Sequence, residues 1–115
     1  MQAISDQQEL LMGVANIIME TYAMESALLR TLKYVAANSE EKADLRIEAT
    51  RTFISDAMDR IEITARPLLA AVAEGDMLRT QIAALKRFTR HTAYNTIQSR
   101  QRIANAMIES GKYLF

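Results

Sequence analysis

Apolar residues recur at steps of three and four along nearly the whole chain, the period of an α-helix rather than of a strand. The first row is Leu10, Val14, Ile17, Thr21, Met24, Leu28, Thr31 and Val35, and Leu11, Ile18, Tyr22, Leu29 and Leu32 widen it. Ser5 stands at an N-cap position, and Gln8 completes a capping box three residues later. The pattern predicts one amphipathic helix over about 6–36 with a broad apolar face. At 1.5 Å per residue it runs about 45 Å and needs partners along its length, as in a bundle.

A second row consists of Ala43, Ile47, Thr50, Ile54, Ala57, Ile61, Ala65, Leu68 and Val72, with Phe53, Met58 and Leu69 beside it. It predicts a helix over about 40–74. Ala36-Ala37-Asn38-Ser39 connects the two; Ser39 suits the cap, and Glu40 and Glu41 suit the positive end of the helix dipole. Pro67 falls inside the second helix and predicts a kink near Arg66, because the apolar period continues across it. Gly75 suits the left-handed position that ends a helix, and Asp76 can cap the next. Leu78, Ile82, Leu85 and Phe88, with Met77 and Ala84, predict a third helix over about 77–91. Residues 92–95 connect it to a fourth over about 95–110, capped by Thr92 or Asn95 and ended by Gly111. There Ile97, Ile103 (or Ala104), Met107 and Ile108 are expected to face inward. The expected fold is all-α, an antiparallel four-helix bundle forming a single domain over 1–115. The apolar tail Lys112-Tyr113-Leu114-Phe115 is expected to pack back or meet a partner.

Composition agrees with the pattern. Three Gly and one Pro in 115 residues are too few for turn-rich β architectures. The absence of cysteine excludes disulfides, thiolate metal sites and cysteine nucleophiles, and it favours an intracellular, cytoplasmic location. Residues 1–6 show no basic region followed by an apolar run, so they do not read as a signal peptide. No apolar run approaches the ~20 residues of a membrane span.

The zero net charge hides an asymmetry. Residues 1–75 carry seven Lys/Arg against twelve Asp/Glu, a balance of −5; residues 76–115 carry seven against two, a balance of +5. Attraction between the two halves is the plain reading, and a basic surface for an anionic partner is the sharper one.

The residues assemble no recognisable reaction chemistry. Carboxylate-bridged metal sites in bundles need inward Glu and Glu-x-x-His pairs; the one histidine, His91, lies in no such motif. Glu20 and Glu25 read as solvated or salt-bridged acids, and His91 as a hydrogen-bonding residue at a helix end. No serine sits in a Gly-x-Ser-x-Gly elbow, and the glycines stand too far apart for a phosphate loop. Neither catalytic, cofactor-binding nor metal-binding residues are therefore assigned. The methionines Met12, Met19, Met24, Met58, Met77 and Met107 suit core filling, or an adaptable binding groove. The candidate interaction face is the basic set Arg79, Lys86, Arg87, Arg90, Arg100 and Arg102, of which Lys86, Arg87 and Arg90 share one side of the third helix by spacing. It suits an intramolecularly paired face, an acidic surface of another domain or subunit, or an anionic lipid surface. The pI near 6.6 and the lack of a recognition motif argue against nucleic acid.

Ala23-Met24-Glu25-Ser26-Ala27-Leu28-Leu29-Arg30-Thr31 resembles a segment near the C-terminal end of bacterial acyl-CoA dehydrogenases of the long- and very-long-chain type. Gly75-Asp76-Met77-Leu78-Arg79, Leu85-Lys86-Arg87-Phe88-Thr89-Arg90 and Asn95-Thr96-Ile97 look like the helices that follow. Ile103-Ala104 and Glu109-Ser110-Gly111-Lys112-Tyr113 look like the ending of those proteins. The resemblance covers most of the chain and is clearest from residue 74 onward. It implies a non-catalytic helical domain cut from the C-terminus of an FAD-dependent enzyme that desaturates acyl-CoA thioesters in β-oxidation. The flavin and the catalytic residues would lie upstream. The implied partners are the upstream catalytic domains or a second subunit, with peripheral attachment to an anionic membrane as a further option. A free-standing helical interaction module is the alternative.

Overall fold

The computed structural model describes residues 4–115, with side chains from Gln8 onward. All regular structure among them is helical: α1 (Ile4–Ala37), α2 (Asp44–Val72), α3 (Gly75–Thr89) and α4 (Thr96–Ser110). These are the all-α class and the four helices expected of a four-helix bundle. The cap expected at Ser5 lies outside the described side chains.

The largest shift of boundary is at α2, which starts at Asp44 rather than near 40. Ser39 explains it. Its φ of +149° is one that L residues rarely adopt, and its oxygens close a separate turn over 40–43. Lys42 N–H donates to Ser39 Oγ (3.3 Å), and Ala43 N–H donates to Ser39 O (3.1 Å). Pro67 lies within α2 and does not end it. Gly75 has the expected left-handed φ of +60° but is the first residue of α3 rather than the end of α2. The N-cap position falls to Glu74, which makes no side-chain cap bond; Asp76 sits in the first turn of α3 instead.

The chain divides into two compact units. The first contains residues up to Ala23 together with Ala57–His91; the second contains Met24–Asp56 and Thr92–Phe115.

In the first unit α1 and α2 run antiparallel, since Gly13 meets Leu68 while Glu20 meets Arg60. Glycine at position 13 leaves room for Leu68: a Cβ there would lie 2.6 Å from one of its methyls, so the Leu68 side chain would have to shift. Arg60 donates to both carboxylate oxygens of Glu20 at 2.9 Å, a bidentate pair. Ala57 and Ala65 are buried, and Ile61 and Leu68 are half-buried beside them. From α3, Leu78, Ile82 and Leu85 are half-buried and Thr89 is buried, its hydroxyl donating to Leu85 O at 2.8 Å. His91, just past α3, is 2.9 Å from a carboxylate oxygen of Asp59 on α2.

In the second unit α1 and α2 are again antiparallel: Thr31 and Thr50 share a hydroxyl hydrogen bond of 2.5 Å, and Tyr34 faces Arg46. Asn95 caps α4 by accepting from Gln98 N–H at 3.0 Å. Gly111, at φ +68°, closes the helix by donating to Met107 O (2.9 Å). Ser99 lies buried against Thr52 of α2. The tail packs back. Arg46 donates to Leu114 O (3.3 Å), and its guanidinium lies 4.1 Å from the Tyr34 ring centroid and 5.7 Å from that of Phe115.

Several side chains expected inside are outside. On α1, Leu11, Ile18, Tyr22, Leu29 and Leu32 do not widen the inward face but are exposed, as are Val14 and Leu28. Phe88 and Met77 of α3 and Val72 of α2 are exposed. On α4 Ile97 and Ile108 point to solvent, and the inward positions belong to Ser99, Ile103 and Met107. The cause is the smallness of the interior. Among the described residues its buried apolar side chains are alanines, Ala43, Ala57 and Ala65, and its buried polar residues are Thr50, Thr52, Thr89 and Ser99. Small side chains let the helices approach closely, and such a seam has no room for bulky residues from the flanks.

Candidate docking surface

The six basic residues fall into two groups. Arg79, Lys86, Arg87 and Arg90 belong to the first unit, and Arg100 and Arg102 to the second.

In the second unit the arginines are held by α2. Arg100 pairs with Asp56, and Arg102 pairs with both Asp44 and Glu48, which stand one turn apart on α2. Hydrogen bonds to Asp44 first, and then to Glu48, push the Arg102 guanidinium pKa further up. This is the attraction between acidic and basic halves that the charge asymmetry anticipates. Arg102 also borders a shallow open groove with Gln98, Gln101, Asn105 and Glu109.

In the first unit Arg79 pairs, among the described residues, with Asp76 one turn earlier at 3.5 Å, and both side chains are largely exposed. Lys86, Arg87 and Arg90 form no ion pair with a described residue. Arg79 and Lys86 are seven positions apart in α3 and so share a face. Arg90 lies beyond the helix in extended backbone, which takes it off the helical face that its spacing implied.

The feature that charge spacing does not reveal is apolar. At about 100° per residue, Leu10, Gly13, Ile17 and Glu20 line the side of α1 turned to α2. Leu11, Ala15, Ile18 and Tyr22 line the opposite side, and all four are exposed, Tyr22 at 72%. Met12 and Met19 flank this row and are exposed as well. Thus α1 is apolar on two opposed faces, the pattern of a helix buried on both sides. The signal was present in the sequence: the row was too wide for one face.

Among the described residues no group of three or more His, Asp or Glu could hold a metal ion, and no helix is long and apolar enough to cross a membrane.

Comparisons with known proteins give these features a setting. The family described as acyl-CoA dehydrogenase, C-terminal domain, matches residues 1–87, most of the chain. A probable acyl-CoA dehydrogenase of Bacillus subtilis (strain 168) is 43% identical over 112 residues, 97% of this chain and 19% of that protein. The crystal structure of an acyl-CoA dehydrogenase complexed with FAD from Bacillus anthracis superposes with a TM-score of 0.92 at 38% identity, over 99% of this chain and 20% of that one. The chain therefore spans about one fifth of the length of these relatives.

Proposed function

This chain belongs to the acyl-CoA dehydrogenase C-terminal domain family, and from that premise we propose that it is a non-catalytic docking domain of a larger FAD-dependent acyl-CoA dehydrogenase. The observation that carries this reading is the set of large apolar side chains left in solvent on α1, in a chain that spans a fifth of its relatives. An exposed apolar row of this size marks a surface made to be covered.

In this reading residues 1–115 act as one domain of the parent, and the parent desaturates acyl-CoA thioesters of the long- or very-long-chain type. The groove beside Pro67, lined by Glu62, Ile63, Arg66 and Ala70, and the groove around Arg102 are both open, whereas a small-molecule site buries most of its ligand. Flavin and substrate are accordingly assigned to the rest of the parent. Lys86, Arg87 and Arg90, which form no ion pair with a described residue, suit an acidic patch on the catalytic part or on a second subunit. The parent is placed in the cytoplasm. The other source of negative charge, an anionic membrane surface met peripherally, is an outcome of the vesicle measurement described in the Discussion.

The test compares the complete protein expressed from its native gene with the 115-residue chain alone. The complete protein is expected to carry visible flavin absorbance and to oxidise an acyl-CoA, and the chain alone to purify without flavin. Flavin copurifying with the chain alone would overturn the proposal. So would a native gene lacking an in-frame dehydrogenase sequence upstream, which would leave a free-standing interaction module.

A further inference from the structure

The docking reading leaves open which face of the domain meets the rest of the enzyme. Two faces of the first unit compete. One is the outer row of α1, Leu11, Ala15, Ile18 and Tyr22 with Met12 and Met19. The other is the outer side of α3, with Met77 and Phe88.

Resting on the docking reading, we propose that the outer row of α1 is the seam, and that its occupant is an apolar helical face of the remaining four-fifths of the same chain. Three observations favour α1 over α3. The α1 row repeats at 11, 15, 18 and 22, the alternating four-three spacing with which one helix packs along another. The row itself carries no charged residue, so nothing charged in it must lose its water when it is covered. The exposed apolar residues of α3 are interrupted: Thr80 and Arg87 lie beside the line from Met77 to Phe88, and both are exposed.

Tethering decides between the same chain and a second copy. The relatives extend about five times the length of this chain, so in the docking reading four-fifths of the protein is tethered covalently to this domain. A tethered partner acts at an effective concentration on the order of millimolar. A second copy must compete from its much lower bulk concentration.

Methionine oxidation reads out the seam whatever residues form the covering face, because a thioether reacts according to its exposure. Met12 and Met19 on α1 are 65% and 60% exposed, and Met77 on α3 is 63% exposed, so all three start nearly equal. The complete native protein and the 115-residue chain are treated with dilute peroxide and followed residue by residue by mass spectrometry. In the complete protein Met12 and Met19 should oxidise roughly tenfold more slowly than in the chain alone, with Met77 little changed. The protection should not depend on protein concentration, and Ile18→Glu with Tyr22→Glu should abolish it while flavin content is retained. Protection of Met77 in addition would leave the seam in place. Protection of Met77 without Met12 and Met19 would overturn the seam but keep docking. No protection at any of the three would overturn docking itself. Protection that disappears on dilution would assign the row to a second copy.

Discussion

The Ser99 hydroxyl donates to the Thr52 hydroxyl at 2.6 Å, while Thr52 spends its own proton on Glu48 O at 3.0 Å. That assignment follows from counting: a threonine has one proton, and the carbonyl can only accept. Ser99 is 1% exposed, so water cannot replace its partner. The two hydroxyls form a directional link from α4 to α2 in the second unit.

Removal of either end should therefore be unequal. Ser99→Ala takes away a donor and leaves Thr52 bonded to Glu48 O, a loss of about 1 kcal/mol. Thr52→Val leaves the Ser99 hydroxyl buried without this partner and should cost more, about 1–3 kcal/mol. The double variant should be less destabilised than the sum of the two, because an apolar pair of similar shape leaves no orphan. Denaturant melts of the four proteins check this, and simple additivity would refute the proton assignment.

At Gly13 two effects oppose each other. Alanine stabilises a helix interior by about 1 kcal/mol relative to glycine. Its Cβ would lie 2.6 and 2.7 Å from the two methyls of Leu68. Gly13→Ala should consequently be neutral or destabilising in the native background and stabilising by about 1 kcal/mol once Leu68→Ala has cleared the space. An equal effect in both backgrounds would mean that the close approach of α1 to α2 is not what holds position 13 to glycine.

Much of the fold could be read from residue spacing, and the reasons differ by element. The end at Gly111 was legible because φ > 0 leaves few other residue choices, and side-chain chemistry narrowed the α4 cap to Thr92 or Asn95, of which the structure uses Asn95. The α2 stripe was legible because Ala43, Thr50, Ala57 and Ala65 repeat on one face. The start of α2 was not, because Ser39 caps a separate turn through an unusual φ that no composition rule announces. The inward direction of Ile97, Ile108 and Phe88 was misjudged for a different reason. Hydrophobicity marks a side chain as one to be covered, but not by which partner. The pairing of Arg100 and Arg102 with α2 acids required the register of α4, which spacing alone does not fix.

Acid should act through Glu20. The hydrogen bonds from Arg60, more than the Coulomb attraction, hold its carboxyl below the ordinary 4.5 against a smaller opposing effect of burial. A depressed carboxylate contributes stability above 4.5 that is lost as pH falls through the folded value. Arg60 is 49% exposed, so the pair is screened and contributes below about 1 kcal/mol. Glu20→Gln should lower the melting temperature slightly at neutral pH, and the two curves should converge as the pH drops below 4.5. A gap that persists or widens in acid would exclude the ion pair as its cause.

The basic residues should separate by what holds them. Arg102 is engaged by Asp44 and Glu48 within the domain, so Arg102→Gln should weaken the isolated chain and the complete protein alike. Lys86 and Arg90 have no ion-pair partner among the described residues. Lys86→Glu with Arg90→Glu should leave the melting of the isolated chain nearly unchanged. If these cations meet an acidic patch of the parent, the same variant should destabilise the complete protein at low salt, and the loss should shrink as added salt shortens the Debye length from about 10 Å at 0.1 M to about 3 Å at 1 M. Sedimentation of the complete protein with anionic vesicles separates the two sources of negative charge. Cations already covered by protein leave sedimentation unaltered by the double reversal. Salt-sensitive vesicle binding that the double reversal abolishes, with no change in melting, would instead assign these residues to a membrane surface.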